Sequence, residues 1–221
     1  MDKGGNIVES WMANADNWIA AIDNTEIESR NLCTNQAIVE AVLSYPLQTI
    51  LDIGCGEGWL TRTLRKHGKQ SYGVDVVPAL IENAIAKSGD LYSICSYKEL
   101  AAGSTLAFPF FDAAVMNFSL LDKEDAENLI QSLHQYLIKD GFVFIQTLHS
   151  TAVTGEYSSG WKEGSWNGLK RDFTAPYEWY FRTLEDWMVL FDSAGMKVVL
   201  VKEPLHPETQ KPLSFIFVLQ L

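Results

Sequence analysis

A chain of 221 residues with 47% hydrophobic side chains is long enough for one full α/β core and too short for two independent domains. Its formal net charge of −11 argues against a broad basic surface for nucleic-acid phosphates. Cys33, Cys55 and Cys95 fit neither a zinc site nor a disulfide framework, no stretch approaches the roughly 18 apolar residues of a membrane span, and residues 1–10 lack the apolar core of a signal peptide. The expectation is a cytoplasmic protein with reduced thiols and no bound metal.

The chain opens with a predicted helix over 7–21, where Trp11, Ala15 and Trp18 share one face. A second helix is predicted over 31–44, with Ile38, Val39, Val42 and Leu43 as its apolar stripe and Pro46 as its stop. Strand and helix then alternate: strand 49–53, helix 59–67, strand 71–74, and a helix over 78–87 opened by Pro78. Strands over 91–95 and 111–117 follow, then a helix over 123–138, a turn at Asp140-Gly141 and a strand over 142–148. Such alternation implies right-handed crossovers and a parallel sheet. The end differs, with a helix over 183–194 and strands over 196–201 and 214–219, whose connection holds three prolines and no helical pattern. An antiparallel hairpin at the sheet edge is expected there.

Periodicity fails over 150–182. This stretch carries Tyr157, Trp161, Trp166, Phe173, Tyr177, Trp179, Tyr180 and Phe181 among Gly155, Gly160, Gly164 and Gly168. Its length fits a lid or binding loop, and its aromatic density argues against disorder.

The first strand ends in Ile50-Leu51-Asp52-Ile53-Gly54-Cys55-Gly56-Glu57-Gly58. Glycines there permit tight turning and close approach of a ligand, and the following helix presents free N–H groups. That combination suits a nucleotide-like ligand at the carboxyl ends of the strands, although a tight strand–helix turn without ligand has the same glycines. Asp75 adds specificity. It follows the second strand, 19 residues beyond Gly56, where a carboxylate can accept both hydroxyls of a ribose. The competing reading is an acid at the start of the Pro78 helix. Nicotinamide enzymes show G-x-G-x-x-G, whereas the spacing here is G-x-G-x-G with Asp52 just before it. S-adenosylmethionine brings no pyrophosphate, and an acid near the loop can hold its cationic amino group.

The run from Ile50 to Leu64, the Gly73-Val74-Asp75 step and the later strands resemble class I S-adenosylmethionine-dependent methyltransferases of the broad bacterial type 11 group, over about residues 30–221. The resemblance implies a Rossmann-like α/β fold: a seven-stranded, mostly parallel sheet in the order 3-2-1-4-5-7-6, strand 7 antiparallel, with helices on both faces. It implies a single methyltransferase domain over 1–221, with an N-terminal helical cap over 1–45 and the 150–182 insertion as a lid over the substrate. Gly54, Cys55, Gly56 and Gly58 are expected to line the methionine part of the cofactor, Asp52 or the nearby backbone to meet its amino group, and Asp75 with Val76 to meet its ribose. The family often has an acid after strand 3 that bonds the adenine amino group. Ser96 stands there, and its oxygen, the Tyr97 backbone or the Tyr97 ring is expected to replace it. Asn117 and Phe118, in Asn117-Phe118-Ser119, fall where the family contacts the cofactor from beneath.

His149 follows the fifth strand and is a candidate general base, with a structural role as the alternative. Transfer to an already nucleophilic atom needs only in-line positioning. His206 reads as a turn residue, and His67 and His134 as structural. Arg30, before the second helix, can bind a carboxylate of cofactor or substrate, or simply be a solvated charge. Trp11 and Trp18 read as packing residues. Within the insertion, Trp161 and Tyr180 are the candidate substrate contacts, giving an apolar wall with polar tips for a small acceptor, or a small satellite core. The expected reaction is direct displacement onto an oxygen, nitrogen or carbon of a small molecule, releasing S-adenosyl-L-homocysteine. A non-catalytic cofactor-binding protein and a nicotinamide oxidoreductase are the alternatives.

Overall fold

The computed structural model describes residues 3–152, 157–164, 166 and 169–221. Gly155 and Gly168 of the insertion lie outside the described residues. The chain opens with α1 (Lys3–Ala13) and α2 (Ala15–Asp23), then a π-helical turn (Arg30–Thr34) leading into α3 (Asn35–Leu43). The alternating region is β1 (Thr49–Ile53), α4 (Trp59–Lys66), β2 (Gln70–Asp75), α5 (Pro78–Ser88), β3 (Tyr92–Ile94), α6 (Tyr97–Ala101), β4 (Phe111–Asn117), α7 (Glu124–Ser132) and β5 (Leu137–Leu148). The insertion forms β6 (Gly160–Glu163) and β7 (Glu178–Phe181), and the chain ends with α8 (Leu184–Ser193), β8 (Lys197–Lys202) and β9 (Ser214–Gln220).

Seven strands form one sheet in the order β3-β2-β1-β4-β5-β9-β8. The first five pair in parallel, while β9 runs antiparallel to both β5 and β8. With the small β6–β7 sheet set aside, this is the expected 3-2-1-4-5-7-6 order. The central strands are apolar on both faces because helices cover both. Leu51, Ile53, Met116, Ile145 and Phe217 pack in one cluster with Leu129 and Ile130 of α7 and Phe191 of α8. Ile50, Val115, Phe144 and Val218 pack in the other with Ile38 and Val42 of α3 and Leu60 and Leu64 of α4. Burying each such side chain contributes about 1.5–3 kcal/mol.

Four elements depart from the sequence reading. The helix over 7–21 is broken at Asn14, whose side chain leaves the helix to bond Thr174 of the insertion. The helix over 123–138 ends at Ser132, because Leu137 turns away to pair with Phe111 before Asp140-Gly141 returns the chain and Phe142 pairs with Ala113. Helix α6 was not expected. The β6–β7 hairpin stands where periodicity fails, paired antiparallel from Gly160↔Phe181 to Glu163↔Glu178.

Candidate cofactor and acceptor site

The carboxyl ends of β1, β2 and β4 place the glycine loop, Asp75 and Asn117-Phe118-Ser119 on one edge of the sheet. The loop is held to β2, with the Gly54 and Cys55 N–H groups both donating to the Val74 carbonyl (2.8 and 3.0 Å). Gly54 has φ +72°, and a Cβ there would lie 2.4 Å from Ser119 Cβ and 3.0 Å from Tyr97 Oη. Ser119 Oγ donates to the Ile53 carbonyl (2.9 Å), and Tyr97 Oη donates to the Ser119 carbonyl (2.9 Å). A Cβ on Gly58 would strike the Tyr92 ring at 2.7 Å, so packing explains that glycine. Gly56 differs: a Cβ there meets only Trp18 Nε1, at 3.8 Å. Of the three loop glycines, Gly56 is therefore the one that borders open space.

The acids around the loop divide their work. Asp52 is 1% exposed, and its Oδ2 accepts the Thr61 N–H (3.1 Å) and Thr61 Oγ1 (2.6 Å), which ties the strand end to the first turn of α4. Burial pushes its carboxyl up to about 7 against the pull of those bonds, with Asp75 and Glu57 adding to the rise. Asp75 accepts the Gly56 N–H on one oxygen and the Val77 N–H on the other, both at 2.9 Å. Burial raises its carboxyl and the backbone bonds from Val77, Gly56 and Val76 oppose the rise. Val76 packs, as Trp11, Trp18 and Ile19 do, against the buried cluster of Ala15, Val77 and Leu80. Cys55 is buried against Ile81, Ala84 and Tyr92, and burial raises its thiol well above the usual range, so it acts as a packing residue.

Arg30 is not a solvated charge. Its guanidinium lies over the Trp59 ring (4.8 Å) and near the Trp18 ring (5.8 Å), with Nε donating to Asn35 Oδ1 (3.1 Å). Nη2 is buried and has no partner among the described residues. Burial lowers the guanidinium to about 10, with Glu57 pulling the other way, so it remains a cation at neutral pH. A buried cation with an unfilled donor beside the glycine loop fits an anionic group of a ligand.

Ser96 caps α6. Its Oγ accepts the Glu99 N–H (3.2 Å), and the Glu99 carboxylate accepts both the Ser96 N–H and Oγ (each 2.7 Å). Its hydroxyl is thus committed to the helix start. Tyr97, next to it, is aimed instead at the Gly54–Ser119 contact. Asn117 Oδ1 is buried with no partner among the described residues, and Phe118 has φ +55° with its N–H donating to the Gln146 carbonyl (2.8 Å).

His149 is 6% exposed and both ring nitrogens are engaged. Nδ1 accepts the Thr151 N–H (3.1 Å), which leaves the proton on Nε2, facing Glu203 Oε1 at 2.9 Å. The ring packs on Phe215, with centroids 4.3 Å apart. This arrangement braces the end of β5 against the β8–β9 connection.

The N-terminal helices and the insertion meet above the loop. Trp11 packs edge-on against Trp18 (4.9 Å) and Trp166 (5.2 Å), and Trp166 stacks on Phe173 (4.8 Å). Trp161 and Tyr180 are a cross-strand pair of the β6–β7 hairpin, 5.5 Å apart edge to face. Lys3 lies 4.7 Å from the Trp161 ring and Arg182 4.8 Å from the Tyr180 ring. The Tyr180 N–H donates to the Leu121 carbonyl (2.8 Å), which places the hairpin beside the segment that carries Ser119. Asn14 is a structural participant absent from the sequence reading, while Ser119 figures there only as part of the Asn117-Phe118-Ser119 run and Trp18 only as a packing residue.

A family model described as a methyltransferase domain matches residues 26–201. The chain is 34% identical over 113 residues to the mitochondrial ubiquinone biosynthesis O-methyltransferase of Bos taurus, a match covering 48% of this chain and 30% of that protein. It thus spans less than a third of the length of that relative. It is 30% identical over 172 residues to the ubiquinone biosynthesis O-methyltransferase of Xanthomonas campestris pv. campestris (strain B100), covering 72% of this chain and 70% of that one. The fold is similar to that of Burkholderia thailandensis 1,6-didemethyltoxoflavin-N1-methyltransferase, solved with 1,6-didemethyltoxoflavin and S-adenosylhomocysteine (TM-score 0.63, 17% identity, 96% of this chain and 88% of that one). With the sheet order, the glycine loop and Asp75 in place, the chain belongs to the methyltransferase-domain family and has the fold of its S-adenosylmethionine-dependent members.

Proposed function

We propose that this protein transfers a methyl group from S-adenosylmethionine to a small, partly apolar acceptor held beneath the aromatic insertion. The observation that carries this reading is the pairing of Asp75 with Gly56, where an acid at the end of β2 grips the one loop glycine that borders open space. Asp75 Oδ2 accepts the Gly56 N–H and Oδ1 the Val77 N–H, with Val76 adding a third backbone bond, and the carboxylate keeps lone-pair capacity for a ribose hydroxyl. Arg30 is assigned to the cofactor carboxylate, Asn117 Oδ1 to a donor of the bound cofactor, and the Tyr97 ring to one wall of its site. Asp52 supports this site by fixing the start of α4. When bound, the cofactor supplies an electrophilic methyl group.

The chain's own contribution is enclosure and alignment. His149, with both nitrogens engaged, is assigned a bracing role, and displacement proceeds without a histidine base. The domain reading is one methyltransferase unit with a cap over 1–45 and a lid over 150–182, whose Trp161 and Tyr180 form part of the acceptor wall. The 1,6-didemethyltoxoflavin bound to the Burkholderia enzyme supports a small-molecule acceptor. The net charge of −11 favours a small molecule over nucleic acid, and no helix among the described residues is long and apolar enough to cross a membrane. A cytoplasmic site of action follows from this reading.

Calorimetric titration with S-adenosylhomocysteine and with NADH tests it. Binding of the first alone is expected, and Asp75→Ala is expected to weaken it at least about tenfold. Binding of NADH alone overturns the reading, and an unchanged affinity in Asp75→Ala overturns the ribose assignment.

A further inference from the structure

We infer that Asn14 is a positioning residue that joins the N-terminal cap and the aromatic insertion into one lid, so that enclosing the cofactor and completing the acceptor wall are a single event. The inference rests on the proposed function's placement of the acceptor under the insertion. Asn14 sits at the break between α1 and α2 and is 1% exposed. Its Nδ2 donates to the Thr174 carbonyl (2.7 Å) and the Ser10 carbonyl (2.8 Å), and its Oδ1 accepts the Thr174 N–H (2.8 Å). The carboxamide therefore pairs with Thr174 as one strand pairs with another. A buried amide with its donors and acceptor filled defines one geometry and resists sliding.

Further bonds run along the same seam. Asn17 Nδ2 donates to the Asp172 carbonyl (3.0 Å), Ser10 donates to the Ala175 carbonyl, and Arg171 forks onto Glu26 (2.8 and 3.1 Å). Trp11, Trp166 and Phe173 fill the space between. One helical turn beyond Asn14, Trp18 donates its N–H to the Asn14 carbonyl (2.9 Å) and points its indole at Gly56. A bonded path thus runs from Thr174 through Asn14 to Trp18, whose indole faces Gly56 across the open space beside the glycine loop. A ligand that orders the cap over Gly56 orders the insertion with it, and by linkage an acceptor that orders the insertion tightens the cap on the cofactor.

Hydrogen exchange on the full chain, with and without S-adenosylhomocysteine, tests the inference. In the wild type the ligand is expected to slow exchange about tenfold or more in both 15–20 and 170–178. In Asn14→Ala the slowing over 15–20 is expected to remain and that over 170–178 to disappear. If Asn14→Ala does not fold, the double variant Asn17→Ala/Arg171→Ala, which cuts the outer part of the seam, is expected to reduce the slowing over 170–178 at least about threefold. Protection confined to 15–20 in the wild type, or unchanged over 170–178 in the variants, overturns the coupling while leaving the methyl-donor reading intact. Absence of calorimetric binding of S-adenosylhomocysteine to the wild type overturns both.

Discussion

Ser119 stands where a side chain on Gly54 would go, its Cβ 2.4 Å from the position of a Cβ at 54 while its hydroxyl holds the Ile53 carbonyl. Gly54→Ala therefore meets two penalties, a left-handed backbone and a steric overlap that Tyr97 closes from the other side. A loss of at least about 2 kcal/mol is expected in denaturant unfolding. S-adenosylhomocysteine affinity is expected to fall with it, because the loop must shift to admit the methyl group. Gly56→Ala, with more room, is expected to keep its stability better and still lose affinity.

Arg30 offers a sharper test of ligand chemistry. Lysine keeps the charge and loses the planar fork that lies over Trp59. Arg30→Lys is expected to weaken S-adenosylhomocysteine about tenfold and to leave 5′-methylthioadenosine, which lacks the carboxylate, unchanged. Calorimetry with the two ligands separates the cases, and equal losses on both would remove the carboxylate assignment.

Asp52 gives stability an unusual pH dependence. Its folded-state carboxyl lies near 7, above the ordinary value near 4, so between those limits the native chain holds a proton that the unfolded chain has released. Stability then falls as pH rises through that window and levels off above it. The shift sets a ceiling of about 4 kcal/mol on the effect. Asp52→Asn has no proton to release, so its melting temperature relative to wild type is expected to climb from pH 4 to pH 7 and then flatten. Asp75, whose carboxyl is also raised by burial, is present in both proteins, so that burial contribution is common to them and only its charge coupling to Asp52 differs. A flat difference across that range would show that Asp52 titrates normally.

His149→Phe preserves the packing on Phe215 and removes the bonds to Thr151 and Glu203. A cost of about 1–3 kcal/mol in thermal or denaturant unfolding is expected, with no change in S-adenosylhomocysteine affinity. Once an acceptor is in hand, an unchanged pH–rate profile in this variant would confirm that the histidine braces the fold and moves no substrate proton.

The parts of this molecule that were readable from the chain alone are those whose cause is local. The run 49–53, Pro78 at a helix start and the glycines with Asp75 each carry their structural reason within a few residues. Ser96-Tyr97-Lys98-Glu99 was equally local, a capping box that announces α6, and a search for that signature would have found it. The overrun of α7 has a different origin: Leu133, Tyr136 and Leu137 keep helical spacing with Leu129, while pairing with Phe111 decides the backbone. The β6–β7 hairpin has a long connection rather than a two-residue turn, so no turn motif marks it. The contacts between the N-terminal helices and the insertion were out of reach for a simpler reason, since Asn14 and Thr174 lie 160 positions apart, and Arg30 finds its place only between two indoles.

The seam between cap and insertion also bears on how such a protein can be re-engineered. A graft that replaces residues 160–181 with the corresponding piece of another methyltransferase keeps the partners of Asn14 and Asn17 only if its backbone follows the path of Thr174 and Asp172, and it loses the Arg171 partner of Glu26. A graft with a different backbone path would leave the buried Asn14 carboxamide with its Ser10 bond alone. On the proposed reading of the insertion as the acceptor wall, acceptor preference is inherited jointly by two distant stretches of chain, and a successful exchange carries α1 and α2 along with the hairpin.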